Sequence, residues 1–308
     1  MMKIDQDLLH RFEKGLNPQN LHDSAIAASI IGYGEISAIF QIQGYNDIVL
    51  KRMPLFSDLS SAKHYADQYY EYCDLLTDAG LNLPQHDTCI IQVPDRPVVL
   101  YIAQEILDVN RFCHRLIHHQ GRKGTRRLIE TIAAEISKIW DFNRTRQPLL
   151  EVAIDGQLSN WVCLEKESRW QMYYVDTSTP LYRKNGIEQQ NPELLLKSTP
   201  AFLRWIIRLM FLEDVMTRYY HPRLVYTDLA ANLYKEQRPD LVPPAVDMIN
   251  QFLTNDPKPL TVKEVKRYYR EDKWIWILFL TFRKIDRWLT TRLLGKRYEF
   301  ILPGRIKR

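Results

Sequence analysis

Asp155-Gly156-Gln157-Leu158-Ser159-Asn160 runs directly into the apolar stretch Trp161-Val162-Cys163-Leu164; Trp170–Val175 follows beyond Glu165–Arg169, and Asp176 closes it. The two apolar stretches predict a hairpin, because β-branched and aromatic residues flank a charged turn. Asp155 and Asn160 make the only D-x-x-x-x-N in the chain. The hairpin would bring Asp176 back beside that loop and gather three oxygen-bearing side chains. Phosphoryl transfer needs such a set, since it relies on positioning, metal-holding oxygens and a base. Each piece also has a plainer reading. Asp155-Gly156 suits a turn that Asn160 caps, and Asp176 before Thr177-Ser178-Thr179-Pro180 suits an Asx-turn.

Working back toward the N-terminus, residues 29–34, 36–43 and 47–53 are short β-branched stretches punctuated by Gly32, Gly34 and Gly44. The first two predict a hairpin with Gly32-Tyr33-Gly34-Glu35 at its tip, where missing side chains let backbone N–H groups approach a phosphate. Lys51 follows Ile48-Val49-Leu50 on the third strand; its plain reading is a strand lysine solvated at its tip. A helix capped by Ser57 or Asp58 is predicted to run to about Asp78, stopped by Gly80 and Pro84, with Glu71 inside it. Residues 88–93 and 98–103 form a further hairpin pattern around Pro94–Pro97. From Glu105 onward the character turns helical, with predicted helices over 125–143, 202–219, 227–236, 245–253 and 262–294.

At this point the sequence resembles the protein-kinase-like superfamily over about residues 29–180. The order is glycine hairpin, strand lysine, helix glutamate, Asp–Asn loop, then a short hairpin ending in aspartate. The resemblance implies an α+β, two-lobed fold: a helical extension over 1–28, a small antiparallel-sheet lobe with one helix over 29–106, and a mainly helical lobe over 107–308. It implies that ATP and Mg²⁺ are used. Lys51 would bind the phosphates and Glu71 would hold Lys51. Gly32 and Gly34 would cover the phosphates, and the strand ending at Glu105 would lead to the segment that receives adenine. Asp155 would accept the substrate hydroxyl proton, while Asn160 and Asp176 would coordinate metal.

The sequence departs from that pattern in specific places. Ala153 stands where the family usually has histidine, and Asp176-Thr177-Ser178 stands for Asp-Phe-Gly. No Ala-Pro-Glu follows, and the glycine loop lacks its third glycine. These departures point to the aminoglycoside- and choline-kinase-like branch, with a small molecule or a lipid headgroup as acceptor. A catalytically inactive nucleotide-binding module and a nucleotidyl transferase stay open as alternatives. Asp228-Leu229-Ala230-Ala231-Asn232 echoes the Asp–Asn loop one residue short and lies on a predicted helix; it reads as a structural cap, with a supporting role near the substrate cleft as the alternative.

Composition narrows the class further. At 308 residues, 45% hydrophobic and 26% charged, the chain is ordinary globular material. The net charge of +5 sits at one end, because residues 283–308 carry +7 and leave the remainder at −2. A nucleic-acid partner is therefore not expected. Four scattered cysteines without a C-x-x-C pair, and no signal-like N-terminus, lead us to expect a cytoplasmic protein. His114, His118 and His119 lack an acidic third ligand at useful spacing, and the neighbouring Arg122, Lys123, Arg126 and Arg127 read as a solvated basic loop, with contact to an anionic substrate as the alternative. The apolar and basic helix over 262–294 is expected to bury against the large lobe; peripheral contact with a membrane is the alternative.

Overall fold

The computed structural model describes residues 2–34, 37–167, 169–191, 194, 217–254 and 256–303. The predicted helix over 202–219 lies largely outside these residues, as do Glu35 and the end of the basic tail.

The small lobe is built on an antiparallel sheet of β1 (Ala28–Tyr33), β2 (Ala38–Ile42), β3 (Ile48–Phe56), β4 (His86–Ile91) and β5 (Val98–Glu105), in the order β1-β2-β3-β5-β4. Between β3 and β4 runs helix α2 (Leu59–Asp78), whose N-cap Asp58 accepts the Ser61 N–H at 2.8 Å. The sheet is covered on both sides, and β5 shows how. Val99, Tyr101 and Ala103 point to one face with Leu9 and Phe12 of helix α1 (Gln6–Gly15), while Val98, Leu100 and Ile102 point to the other with Tyr65 and Tyr69 of α2. A pleat of period two feeds both cores from one strand.

The same alternation separates two adjacent cations on β3. Arg52 faces α1, where its guanidinium bonds Glu13 at 2.7 and 2.8 Å and reaches Glu299. Burial pushes the Glu13 carboxyl up, but Arg52 and Tyr101 outweigh it and the net shift is downward. Lys51 faces the opposite way, toward α2 and the cleft.

The large lobe contains α3 (Cys113–His119), α4 (Arg122–Arg144), α5 (Pro222–Lys235), α6 (Val242–Ile249) and α7 (Val262–Trp288). It also carries a hairpin of β7 (Trp161–Lys166) and β8 (Arg169–Tyr174), and a small sheet of β6 (Leu150–Val152), β9 (Tyr182–Lys184) and β10 (Ile187–Glu188). Leu128, Ile132, Ile136 and Ile139 of α4 pack with Trp161, Tyr174 and Tyr226 in its core. The five-strand sheet with one helix, followed by a mainly helical part, is the expected two-lobed α+β architecture.

Helix α7 meets one expectation only in part. Val265 is buried in the large-lobe core and Tyr268 and Tyr269 pack against it, while Trp274, Ile277, Leu278, Ile285 and Trp288 further along stay exposed. Past α7 the chain makes a π-helical turn (Leu289–Leu293) and returns to the small lobe. There Arg52 donates to the Glu299 carbonyl at 2.7 Å, and Gln19 to that of Tyr298 at 3.0 Å.

Candidate active site

The centre of the site forms where β3, α2, the 155–160 loop and the end of β8 converge. Lys51, in the middle of β3, is locked in register by pairing with Ile39 on β2 and Ile102 on β5. Its Nζ donates to the Val175 carbonyl at 2.8 Å and lies 3.9 Å from Asp176 Oδ1. Burial pushes the ammonium pKa down and the Asp176 carboxylate opposes it; burial wins. A desolvated cation held near one half-exposed carboxylate suits an anionic ligand as its further partner.

Asp176 follows β8 directly, and Ser178 Oγ donates to its Oδ1 at 3.1 Å. The hairpin is tied to the 155–160 loop, because the Val175 N–H donates to the Asn160 carbonyl at 2.9 Å. Asn160 ends a single 3₁₀ turn, and its Nδ2 donates to the Asp155 carbonyl at 3.2 Å. The Gln157 N–H in turn donates to Asp155 Oδ1 at 3.1 Å. Asp155, Asn160 and Asp176 thus share one hydrogen-bonded segment.

Tyrosines of α2 hold that segment from above. Tyr72 donates its hydroxyl to the Ala153 carbonyl and Tyr65 to the Ser178 carbonyl, each at 2.8 Å. The Ala153 N–H donates to the Leu181 carbonyl at 2.8 Å. Backbone contacts therefore fix the position where the related pattern carries histidine.

Glu71 differs from the sequence expectation. Its carboxylate accepts the Tyr182 hydroxyl at 2.7 Å and pairs with Lys184 on β9, and Lys51 is not among its partners. The face of α2 that meets the sheet is taken by Tyr65, Tyr69 and Cys73, and Glu71 lies off it. Gly32 sits at a register shift in β1, and the Gly34 N–H donates to the Ser37 carbonyl at 3.0 Å. A Cβ at Gly34 would stand 2.5 Å from Ser37 Oγ, so a side chain there would make the Ser37 hydroxyl turn away. Glu105 ends β5 exposed to solvent, with its N–H donated to the Gln85 carbonyl at 2.9 Å.

Of the two readings open to Asp228, the structure favours a place beside the Asp155 loop. Asp228 is not a cap: it lies inside α5, buried, and its charge acts on Asp155. Burial first, then the charges of Asp228 and Asp176, push the Asp155 carboxyl well above the usual carboxylate range; Gln157 and Arg218 oppose them. Asp228 is raised by its own burial, against Arg218, which pairs with Asp272 at 3.2 Å. Gly156 lets the loop settle on α5, since a Cβ there would lie 2.8 Å from Val225 Cγ1 and 3.0 Å from Ile136 Cδ1. Lys235 reaches across to Gln157 Oε1 at 2.8 Å.

Among the described residues no three His, Cys, Asp or Glu side chains converge as a metal site. Mg²⁺ ordinarily takes one or two protein oxygens and fills the rest with water and phosphate. Asn160 and Asp176 fit that modest demand. His114 is half-buried, edge-on to the Phe112 ring at 5.7 Å, and is pushed down to about 4 by burial first and by nearby cations after it.

Strand order, the helix between β3 and β4, the Lys51–Asp176 contact and the Asp155–Asn160 loop together make up the kinase-like fold expected from the sequence. The chain belongs to a family described as "Family of unknown function (DUF6206)", whose profile matches residues 19–287. No curated protein matches the sequence.

Solved structures similar to it include WaaP in complex with acyl carrier protein, at 9% identity over 84% of this chain and 89% of that one, with a TM-score of 0.40. The GDP and kanamycin complex of APH(2")-IIia follows at 11% identity, 77% and 97% coverage and a TM-score of 0.35. The PknI kinase domain of Mycobacterium tuberculosis has 13% identity, 90% coverage of both chains and a TM-score of 0.35. Scores this low carry no weight of their own; the fold rests on the topology and contacts above.

Proposed function

We propose that the chain is an ATP- and Mg²⁺-dependent phosphotransferase acting on a hydroxyl of a small molecule or lipid headgroup. The observation that carries this reading is the buried Lys51, 3.9 Å from Asp176, with Asp176 tied through Val175 and Asn160 to Asp155. Lys51 would bind phosphate oxygens and orient them. Asn160 and Asp176 would hold the metal, which when bound neutralises charge developing on the phosphates. Asp155 would take the proton from the acceptor hydroxyl, its carboxyl oriented by the Gln157 N–H. Gly32 and Gly34 would let the β1–β2 tip lie close over the phosphates.

One observation favours a second reading, a nucleotide-binding module without turnover. A carboxyl held above its usual range carries its proton to higher pH, and a protonated Asp155 is no base. Labelled ATP with Mg²⁺ and a panel of hydroxyl acceptors separates the two. The preferred reading expects transfer that Asp155→Asn abolishes while nucleotide still binds. Binding without transfer in the intact chain, across pH, supports the second. Transfer unchanged by Asp155→Asn overturns the assignment of the base.

A further inference from the structure

We infer that α7 docks the protein on the surface of a bilayer carrying anionic lipids, lying along the interface rather than crossing it. A helix at the edge of a water-soluble fold ordinarily turns its apolar stripe inward. Here the stripe turns outward. Trp274, Ile277, Leu278, Ile285 and Trp288 are all exposed, the first to 72% and the last to 55%. At about 100° per residue these five fall within one arc of the helix. Single exposed apolar residues need no explanation, but a contiguous row does.

The charges in the same arc say what the row meets. Lys266 and Arg270 precede it, Lys284 lies within it and Arg292 follows; all four are exposed, and among the described residues no ion pair engages them. Glu271 is the acidic residue at the edge of this arc, and Arg267 pairs with it at 3.8 Å. A basic border around apolar and aromatic residues complements lipid headgroups bearing negative charge. The two tryptophans stand at the ends of the row, about 21 Å apart along the axis. Indoles prefer the headgroup level, so both ends would seat at one depth. Lys284 can lay its stem on the apolar surface and lift its ammonium to the phosphates. Among the described residues no helix is long and apolar enough to cross a membrane, which agrees with a helix that lies flat.

The opposite side of α7 is anchored. It packs on α5, and Tyr268 bonds Asp228 there, while the returning tail holds the small lobe at Arg52. Docking through α7 would therefore set the whole two-lobed body at a fixed attitude to the surface. The inference does not depend on the phosphotransferase reading, because it uses none of its residues.

The full chain would be co-sedimented with phosphatidylcholine vesicles with and without phosphatidylglycerol, at low and high salt. The expected result is binding that requires phosphatidylglycerol and weakens at high salt. Lys284→Gln with Arg292→Gln should weaken partitioning about fivefold per charge removed. Trp274→Ser with Trp288→Ser should abolish it. All four residues are exposed, so both double variants should melt as the intact chain does. Equal sedimentation with both vesicle types would overturn the inference, as would an unchanged Trp274→Ser/Trp288→Ser variant. A stable dimer in solution that this variant dissolves, with no vesicle binding by the intact chain, would assign the face to a second copy instead.

Discussion

Lys51 Nζ and Asp176 Oδ1 stand 3.9 Å apart, with the lysine's hydrogen bond already given to the carbonyl of Val175, the residue before Asp176. The lysine thus locates the aspartate through its backbone more than through its charge. Its burial costs stability that its bonds only partly offset, which is the signature of a group kept for a ligand. Lys51→Met should therefore leave the melting temperature unchanged or raised, since an apolar chain of similar length replaces a desolvated cation. Phosphoryl transfer should fall by about 100- to 1000-fold. A melt and a turnover assay on one preparation check both; a large loss of stability would mean Lys51 is structural.

Asp155 and Asp228 repel one another across the loop–helix contact. The charge of Asp228 disfavours the ionised form of Asp155 and holds its pKa up. Asp228→Asn removes that charge, so Asp155 should ionise at lower pH. The acid limb of the turnover profile should move toward lower pH, with retained activity on the alkaline side. A limb that stays in place would remove Asp228 from the account.

Gly156 fits against α5 only because it has no side chain. Gly156→Ala must displace Val225 or Ile136, for a cost of about 1–3 kcal/mol by overpacking. Asp155 moves with the loop, so turnover should fall together with the melting temperature. Gly121→Ala is the control, because nothing lies within 4 Å of a Cβ there.

Glu188 makes a prediction about stability against pH. Burial is the main cause that raises its carboxyl from 4.5 to about 7, against the Tyr220 hydroxyl and Arg183. The folded state therefore binds this proton more tightly than the unfolded chain. The stabilisation is full below about 4.5 and is lost as pH rises through about 7. Glu188→Gln should make the protein more stable than the intact chain at pH values above 7, with the advantage fading as pH falls toward 4.5. Paired thermal melts across that range test it.

Much of this architecture was legible in the sequence, and the exceptions have physical reasons. The strands of the small lobe and the β7–β8 hairpin stood out because alternating apolar residues between glycine and proline signals have a short period. Strand β3 continued through Pro54 to Phe56, at a register irregularity that tolerates the missing N–H. Glu71 was given the wrong partner because Lys184 lies on a three-residue strand too short to announce itself. Asp228 did carry a signal, since it sits beside Tyr226, Leu229 and Ala230 in a helix whose residues from 225 to 233 are all buried. An aspartate placed there asks what it faces. For α7 the periodicity revealed an apolar stripe, and no sequence pattern says whether protein or solvent lies against it.

The central claim is that Lys51, Asn160 and Asp176 form a nucleotide and metal site. A thermal-shift titration with ATP and Mg²⁺ tests it most directly, on the intact chain beside Asp176→Asn. The account predicts a rise in melting temperature that needs both ligands and is lost in the variant. No rise in the intact chain, or an equal rise in both, would contradict it.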